Sequence, residues 1–344
     1  MSTVRLEVSR AQVLAYRQTV GALAERLPPG ADSLRRAAWA GLQDSVPRAA
    51  LLSIHARVEE AGPSAWEDPS LVQVWGPRYS AFVVAARDRG IFTLGRLPDN
   101  ASRRRFAEEM AGRVEALLGG RRMTYGEAGR ALGVQPNALR YAAPTGRIVM
   151  RWDGARQPTI WTVPPPEIDP REARLELARR HLHVTGPTTP DAFAAWAGIS
   201  PPRARAAFDA LAPSLTRVRT PLGDAWILAA DEPTLGAAPA TCPGAARLLP
   251  SGDAYTLLHG PGRDLLVPDG DRRGRLWTPR VWPGGILVAG ELVGTWQRSW
   301  MNVTLRPWRR LSGEERAAVE SEAESLPLPG GTGRIGVAWD DEID

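Results

Sequence analysis

Between residues 101 and 230 one order of local signals occurs twice, and that repetition restricts the fold more than any single motif. In the first copy, residues 102–118 place Phe106, Met110, Val114 and Leu117 on one face of a helix. Thr124, with Glu127 three residues on, forms a capping box that starts a second helix, and Gly133 stops it. Pro136 opens a third helix over 136–142. Strand-like runs at 147–152 and 159–163 then make a hairpin around Asp153-Gly154. In the second copy a helix over 171–183 precedes one at 191–197, capped by Thr189-Pro190 and ended by Gly198. Ile199-Ser200-Pro201 turns the chain into a helix at 202–211, and strands at 215–220 and 224–228 flank Pro221-Leu222-Gly223. Pro164-Pro165-Pro166 separates the copies.

Helix, helix–turn–helix, hairpin is the order of a winged helix, and two adjacent copies predict tandem units. A small helical core with a hairpin also serves as a protein-interaction module, so the order alone leaves both DNA and protein open as partners. Residues 1–98 read as a divergent unit, with helices over 10–27, 31–42 and 49–60, a short fourth at 70–74, a strand at 79–85 and a continuation over 88–93 toward Gly95-Arg96-Leu97-Pro98. Past a proline-containing break at 231–243 the character changes. Strand-like runs at 246–249, 264–267, 285–289, 291–297 and 302–307, separated by Gly, Pro and Asp turns, predict a small β-barrel or sheet. Ser312 with Glu315 caps a last helix to about 325, and the acidic tail from Asp340 reads as frayed. The expected architecture is α+β: winged-helix units at 1–98, 99–166 and 167–235, then a β-barrel-like domain at 244–325.

Composition narrows the chemistry. All 43 basic residues are arginine, against 38 acidic ones, for a net charge of +5. Much of this reflects a bias toward Ala, Gly, Pro and Arg, yet arginine is also the better bidentate partner for phosphate and guanine. Without lysine, a lysine Schiff base is excluded. One cysteine, Cys242, excludes an internal disulfide and a cysteine-rich zinc site. His181 and His183 point to different faces of their helix, and His55 and His259 are isolated, so no metal site and no cofactor are expected. Phosphate-loop, dinucleotide-binding and nucleophile-elbow motifs do not occur. With no membrane span or signal peptide in the pattern, a cytoplasmic, nucleoid-associated protein is expected, and no apolar stripe demands more than a monomer.

The stretch that carries chemistry is Gly41-Leu42-Gln43-Asp44-Ser45-Val46-Pro47-Arg48-Ala49-Ala50. It joins two helices, and its plain reading is a capped junction with Asp44 or Ser45 as the cap. It also resembles the signature of the winged-helix DNA glycosylases of the AlkZ and YcaQ type, in which Gln, a hydrophobic residue, and Gln or Asp follow one another. The resemblance continues at Trp75-Gly76-Pro77-Arg78, Thr93-Leu94-Gly95-Arg96-Leu97-Pro98, Arg247-Leu248-Leu249-Pro250, Asp264-Leu265-Leu266-Val267-Pro268 and Val293-Gly294-Thr295-Trp296, over about residues 8–325.

This resemblance implies three tandem winged helices in a C-shape around double-stranded DNA carrying an alkylated purine, and hydrolysis of the N-glycosidic bond. It implies catalytic roles at Gln43, Asp44 and Ser45. Gln43 matches the first glutamine; Asp44 falls at the hydrophobic position and Ser45 at the second Gln or Asp, while an alternative register gives Asp44 the carboxylate role. Gln43 would orient water, Asp44 would stabilise positive charge or accept a proton, and Ser45 would hold the water or cap the next helix. Hydrolysis is expected to stop at an abasic site, and bulky adducts to be met in an open cleft without base flipping. His55, Arg57, Arg78, Arg140, Arg203 and Arg205 are the candidate contacts to phosphate or lesion. Tyr141 and Trp152 read as packing residues. The alternatives are a non-enzymatic DNA-binding regulator or lesion sensor, and an interaction scaffold.

Overall fold

The computed structural model describes residues 6–46, 48–154, 156–237, 245–328 and 333–340. Expectations for Pro47, Cys242 and the tail past Asp340 lie outside the described residues.

Caps written in the sequence set most element boundaries. Asn100 accepts from the Arg103 N–H and starts the Ala101–Leu118 helix, which Gly119 ends at φ 51°. Thr124 accepts from the Glu127 N–H while Glu127 reaches back, so the capping box starts Tyr125–Ala131 as expected. Each such cap stabilises its helix by about 1 kcal/mol. The next element differs: Pro136–Thr145 is a 3-10 helix, with Pro144 inside it. Proline has no N–H to donate and clashes with the preceding turn, which disfavours a regular α-helix there. The hairpin Ile148–Arg151 and Thr159–Thr162 follows. The third segment keeps its expected order, with helices Pro170–Thr185, Pro190–Ala197 and Pro201–Leu211 and the hairpin Leu215–Thr220 with Gly223–Leu228. A strand that the sequence did not announce, Leu6–Glu7, joins this hairpin in parallel.

The first segment departs further from expectation. Its opening helix is Arg10–Val20, closed by Gly21 and left-handed Ala22 (φ 52°), and its second is only Ala31–Ala37. The third is Ala49–His55. Residues 70–74, expected as a short helix, instead form the strand Leu71–Trp75. Val72, Val74 and Trp75 suit a pleated surface, and the strand is paired on both sides. It lies between Ala81–Ala85 and Ile148–Arg151, meeting the latter at Gln73 opposite Met150. One six-stranded sheet therefore runs through both segments, in the order Leu42–Gln43, Ala81–Ala85, Leu71–Trp75, Ile148–Arg151, Thr159–Thr162, Met123–Thr124.

The C-terminal part is an open sheet, not the expected barrel. Its strands pair in the linear order Ala246–Leu249, Gly284–Val288, Glu291–Ser299, Asn302–Pro307, Gly336–Trp339, and among the described residues the first and last do not meet. Residues 264–267, expected as a strand, fall largely in the helix Pro261–Leu266, where Pro261 fits the first turn and Leu265 and Leu266 are buried. The Ser312–Glu315 capping box starts Gly313–Glu324. Asp340 is held rather than frayed: its N–H donates to the Leu305 carbonyl at 2.8 Å and its carboxylate pairs with Arg306 at 2.8 Å.

Packing unites the segments. One apolar cluster joins Phe82 and Phe92 of the first to Phe193, Trp196 and Phe208 of the third. Each such side chain, fully buried, contributes roughly 1.5–3 kcal/mol. A second cluster sets Leu52 of the Ala49–His55 helix against Leu248, Ile286 and Trp296 of the C-terminal sheet. That helix is buried along its whole length, so the residues just before it are held in a fixed place. Among the described residues no helix is long and apolar enough to cross a membrane.

Candidate active site

The candidate site begins at a glycine. Gly41 has φ +76°, and a Cβ there would stand 2.8 Å from the Phe92 ring. Only glycine fits both the backbone and the space. The chain then enters the strand Leu42–Gln43, with Leu42 opposite Val83 and Gln43 opposite Phe82, and the Asp44 N–H continues the ladder to the Ala81 carbonyl at 2.8 Å. Side chains alternate along such a path. Gln43 and Ser45 share one side, where the Gln43 Nε2 donates to the Ser45 Oγ at 3.1 Å. Ser45 is exposed and Gln43 half-buried. The Gln43 Oε1 has no hydrogen-bond partner.

Asp44 turns the other way and is 1% exposed. One carboxylate oxygen accepts from the Ala50 N–H at 3.0 Å, so Asp44 caps the Ala49–His55 helix. The other accepts from the Gln73 Nε2 at 2.6 Å, and the Gln73 Oε1 accepts from the Trp152 N–H at 2.6 Å. This relay ties the motif to the hairpin of the second segment. Burial pushes the Asp44 carboxyl up to about 6, against opposing hydrogen bonds from Ala50 and Gln73 and the nearby Arg48 charge. The geometry thus separates the triplet: Gln43 and Ser45 share the outer side, and Asp44 occupies the buried middle position.

A consequence for stability follows from Asp44. Its folded pKa lies above its ordinary value of 3.8, so its protonated form is favoured in the native state. The stability it contributes is fully present below the unfolded pKa and lost as pH rises through about 6. The stability of the wild type relative to Asp44→Asn is expected to fall, by on the order of 2 kcal/mol, between about pH 4 and pH 7. Urea melts at intervals across that range measure it, and a flat difference contradicts the assignment.

Three neighbours complete the cleft, and none was singled out from the sequence. Arg48, in the left-handed region at φ 68°, donates to the carbonyls of Trp152 (3.2 Å) and Asp153 (2.5 Å) and lies over the Trp66 ring at 4.0 Å. Gln73 is the second. A polar residue in the middle of the apolar run Leu71–Trp75 is the sequence signal that could have found it. Gly252, at φ +74°, brings the C-terminal loop against the Gln43 amide; a Cβ there would be 3.2 Å from the amide carbon.

The expected DNA contacts divide by placement. Arg78 is exposed on a left-handed turn (φ 54°) that follows the Leu71–Trp75 strand and packs on Gly198 of the third segment. Arg140 lies beside Tyr141, whose ring packs edge-on against Tyr79 of the same turn. Arg203 is committed to Asp99 at 2.8 Å and the Leu97 carbonyl at 2.5 Å. Tyr141, read from sequence as packing, is 39% exposed beside Phe106 at 47%; Trp152 is partly buried against the core of the second segment. Arg205 is exposed and pairs with Asp191 at 3.1 Å.

His55 and Arg57 are placed away from the cleft. His55 is buried, its Nε2 3.2 Å from the Ser325 Oγ of the C-terminal part, and burial lowers its pKa. Arg57 is 3% exposed and forms a two-pronged ion pair with Asp253, both contacts at 2.7 Å. Their contacts are internal because the Ala49–His55 helix is sandwiched between the two parts of the molecule. Of the expected residues, the structure thus brings together Gln43 and Ser45, with Asp44 buried beneath them.

The profile described as "DNA glycosylase AlkZ-like" matches residues 36–327, most of the chain. The chain belongs to the AlkZ-like DNA glycosylase family, and this decides between the catalyst and the regulator or scaffold that the sequence left open. The Streptomyces sahachiroi DNA glycosylase AlkZ has the same overall fold, with a TM-score of 0.76 and 21% identity over 97% of this chain and 100% of that one. No curated protein sequence matches this chain.

Proposed function

We propose that the protein is a monofunctional glycosylase that hydrolyses the N-glycosidic bond of N7-alkylated purines in duplex DNA, including bulky adducts. The observation that carries this reading is the Gln43–Ser45 pair, with a buried amide oxygen that has no partner among the described residues beside an exposed serine. An N7-alkylated purine is already cationic and leaves without protonation. The protein has only to place a water and stabilise a sugar that becomes positive. The Gln43 Oε1 accepts from one O–H of the water and the Ser45 hydroxyl from the other, aiming the oxygen at C1′. As the C1′–N bond breaks its electron pair leaves on the purine, which departs neutral, the water oxygen bonds to C1′, and the surplus proton passes to solvent at exposed Ser45. The ionised Asp44 carboxylate, buried behind the pair, adds negative potential to the oxocarbenium side without touching it. Arg78 and Arg140 engage backbone phosphates, and the three helical segments act as winged helices along the duplex, in a C-shaped arrangement, as a monomer.

Ser45 bears on substrate size. The family pattern places Gln or Asp where this chain has the smaller serine, which leaves more room at the cleft floor. Ser45→Gln is expected to lower release of a bulky N7 adduct by about tenfold or more while changing 7-methylguanine release by less than about threefold. Single-turnover rates on duplexes carrying each lesion measure this. Equal effects on both lesions contradict the size argument. The monofunctional reading is tested on the same gels: strand breaks appear only after alkali or heat. Breaks at neutral pH without that treatment overturn it.

A further inference from the structure

A cavity of about 80 Å³ lies between the Arg10–Val20 helix, the Pro170–Thr185 helix, the 220–225 turn and the Pro261–Leu266 helix. Gln43, Asp44, Ser45, Arg48, Gln73 and Gly252 are not among its lining residues. Three polar groups that line it lack partners: Arg17 Nη1, His181 Nδ1 and His259 Nε2. Arg17 and His181 are each 3% exposed. Arg17 spends its Nε on the Gly186 carbonyl (3.0 Å) and its Nη2 on the Pro187 carbonyl (3.2 Å). Among the described residues no carboxylate lies within ion-pair distance of it. A buried guanidinium without a counter-charge is costly, and natural proteins seldom leave one so.

The donors are well defined. Burial lowers the Arg17 pKa to about 10, so it stays charged at neutral pH. Burial first, and then the nearby Arg17 and His259, pushes His181 down to about 3; burial together with Arg78 and Arg263 pushes His259 down to about 4. Both rings are neutral. The His181 Nε2 lies 3.4 Å from the Thr188 hydroxyl. If that nitrogen accepts, the Nδ1 carries the proton and donates into the cavity. The Thr189 Oγ accepts from the Ala192 N–H, which leaves its own O–H to donate. Asp224, also on the lining, is offset by Arg217 and Arg219.

We propose that this cavity binds a small oxyanion, held by Arg17, His181 and His259. The volume suits inorganic phosphate or a carboxylate group and not a nucleoside, and the rim at Leu222 and Pro261 is open to solvent. Two sources share this chemistry, a free small anion and a phosphate of bound DNA. Because the donors are recessed, the free anion is the expected occupant.

Calorimetric titration of the full chain with inorganic phosphate, and separately with acetate, in chloride buffer at constant ionic strength tests the proposal. Saturable one-site binding of at least one anion is expected. It should weaken about tenfold or more in Arg17→Met and in His259→Ala. His259 is half-exposed, so its variant keeps the test valid if Arg17→Met fails to fold, with thermal melts confirming its integrity. Unchanged anion affinity in the presence of a short duplex identifies a free anion; competitive displacement keeps the oxyanion site and assigns it to a DNA phosphate. No saturable heat with either anion, or equal binding by His259→Ala and wild type, overturns it.

Discussion

Gln43→Ala is expected to lower the single-turnover rate of base release by about 10²–10³-fold, the usual loss when a preorganised polar group at the reacting centre is removed. The side chain touches little else. Its one hydrogen bond goes to exposed Ser45, so unfolding stability should change by less than about 1 kcal/mol. Affinity for undamaged duplex should stay within about threefold, because phosphate contacts and not the amide carry that term. The split matters more than the size of the loss. A variant that loses DNA affinity or stability in proportion to activity would assign Gln43 a structural role. Asp44→Asn supplies the contrast, since it acts on the cap and on the relay through Gln73 to Trp152.

The second large effect is on folding. Asp253→Ala removes the partner of a guanidinium that is 3% exposed and leaves the Ser53 hydroxyl, 2.6 Å from the same carboxylate, unpaired. Breaking a buried pair from one side costs about 3–5 kcal/mol. Burial opposes ionisation of Asp253, but the Arg57 charge with hydrogen bonds from Arg57, Ser53 and Tyr255 outweighs it and holds the carboxyl below the usual carboxylate range. Its contribution is therefore present above the unfolded pKa and lost as pH falls through the folded one, opposite in sign to Asp44. Chemical denaturation at pH 7 should show the loss, and the deficit should shrink in acid. Because Asp253 follows Gly252, which backs the Gln43 amide, residual folded Asp253→Ala should also be slow in base release. A fully stable variant would contradict the packing described for this junction.

What the sequence made legible was mostly local. The Thr124–Glu127 and Ser312–Glu315 boxes, the Thr189 cap and the hairpins at 215–228 are decided by neighbours a few residues apart. The Leu71–Trp75 strand was not, because its conformation is fixed by partners at 81–85 and at Met150. For a like reason the C-terminal runs were read as a barrel or a sheet, with a barrel-like domain expected: whether a sheet closes depends on the pairing of its edges, which no strand states by itself. Gln43 was found because its neighbourhood resembles a signature. Which of Asp44 and Ser45 is buried was open in the sequence, and alternation along the strand turns Asp44 inward and Ser45 outward. Arg57 and His55, candidate contacts to phosphate or lesion, are buried, and charge alone does not reveal that the C-terminal part encloses them.

The central claim concerns one bond, and a single assay addresses it. A duplex carrying one 7-methylguanine is incubated with the protein and then heated in alkali, with Gln43→Ala run in parallel. The account predicts alkali-dependent scission at the lesion with wild type, an intact strand without alkali, and a signal at least about 10²-fold weaker with Gln43→Ala. No scission above the Gln43→Ala level, on this lesion and on a bulky N7 adduct alike, would contradict it.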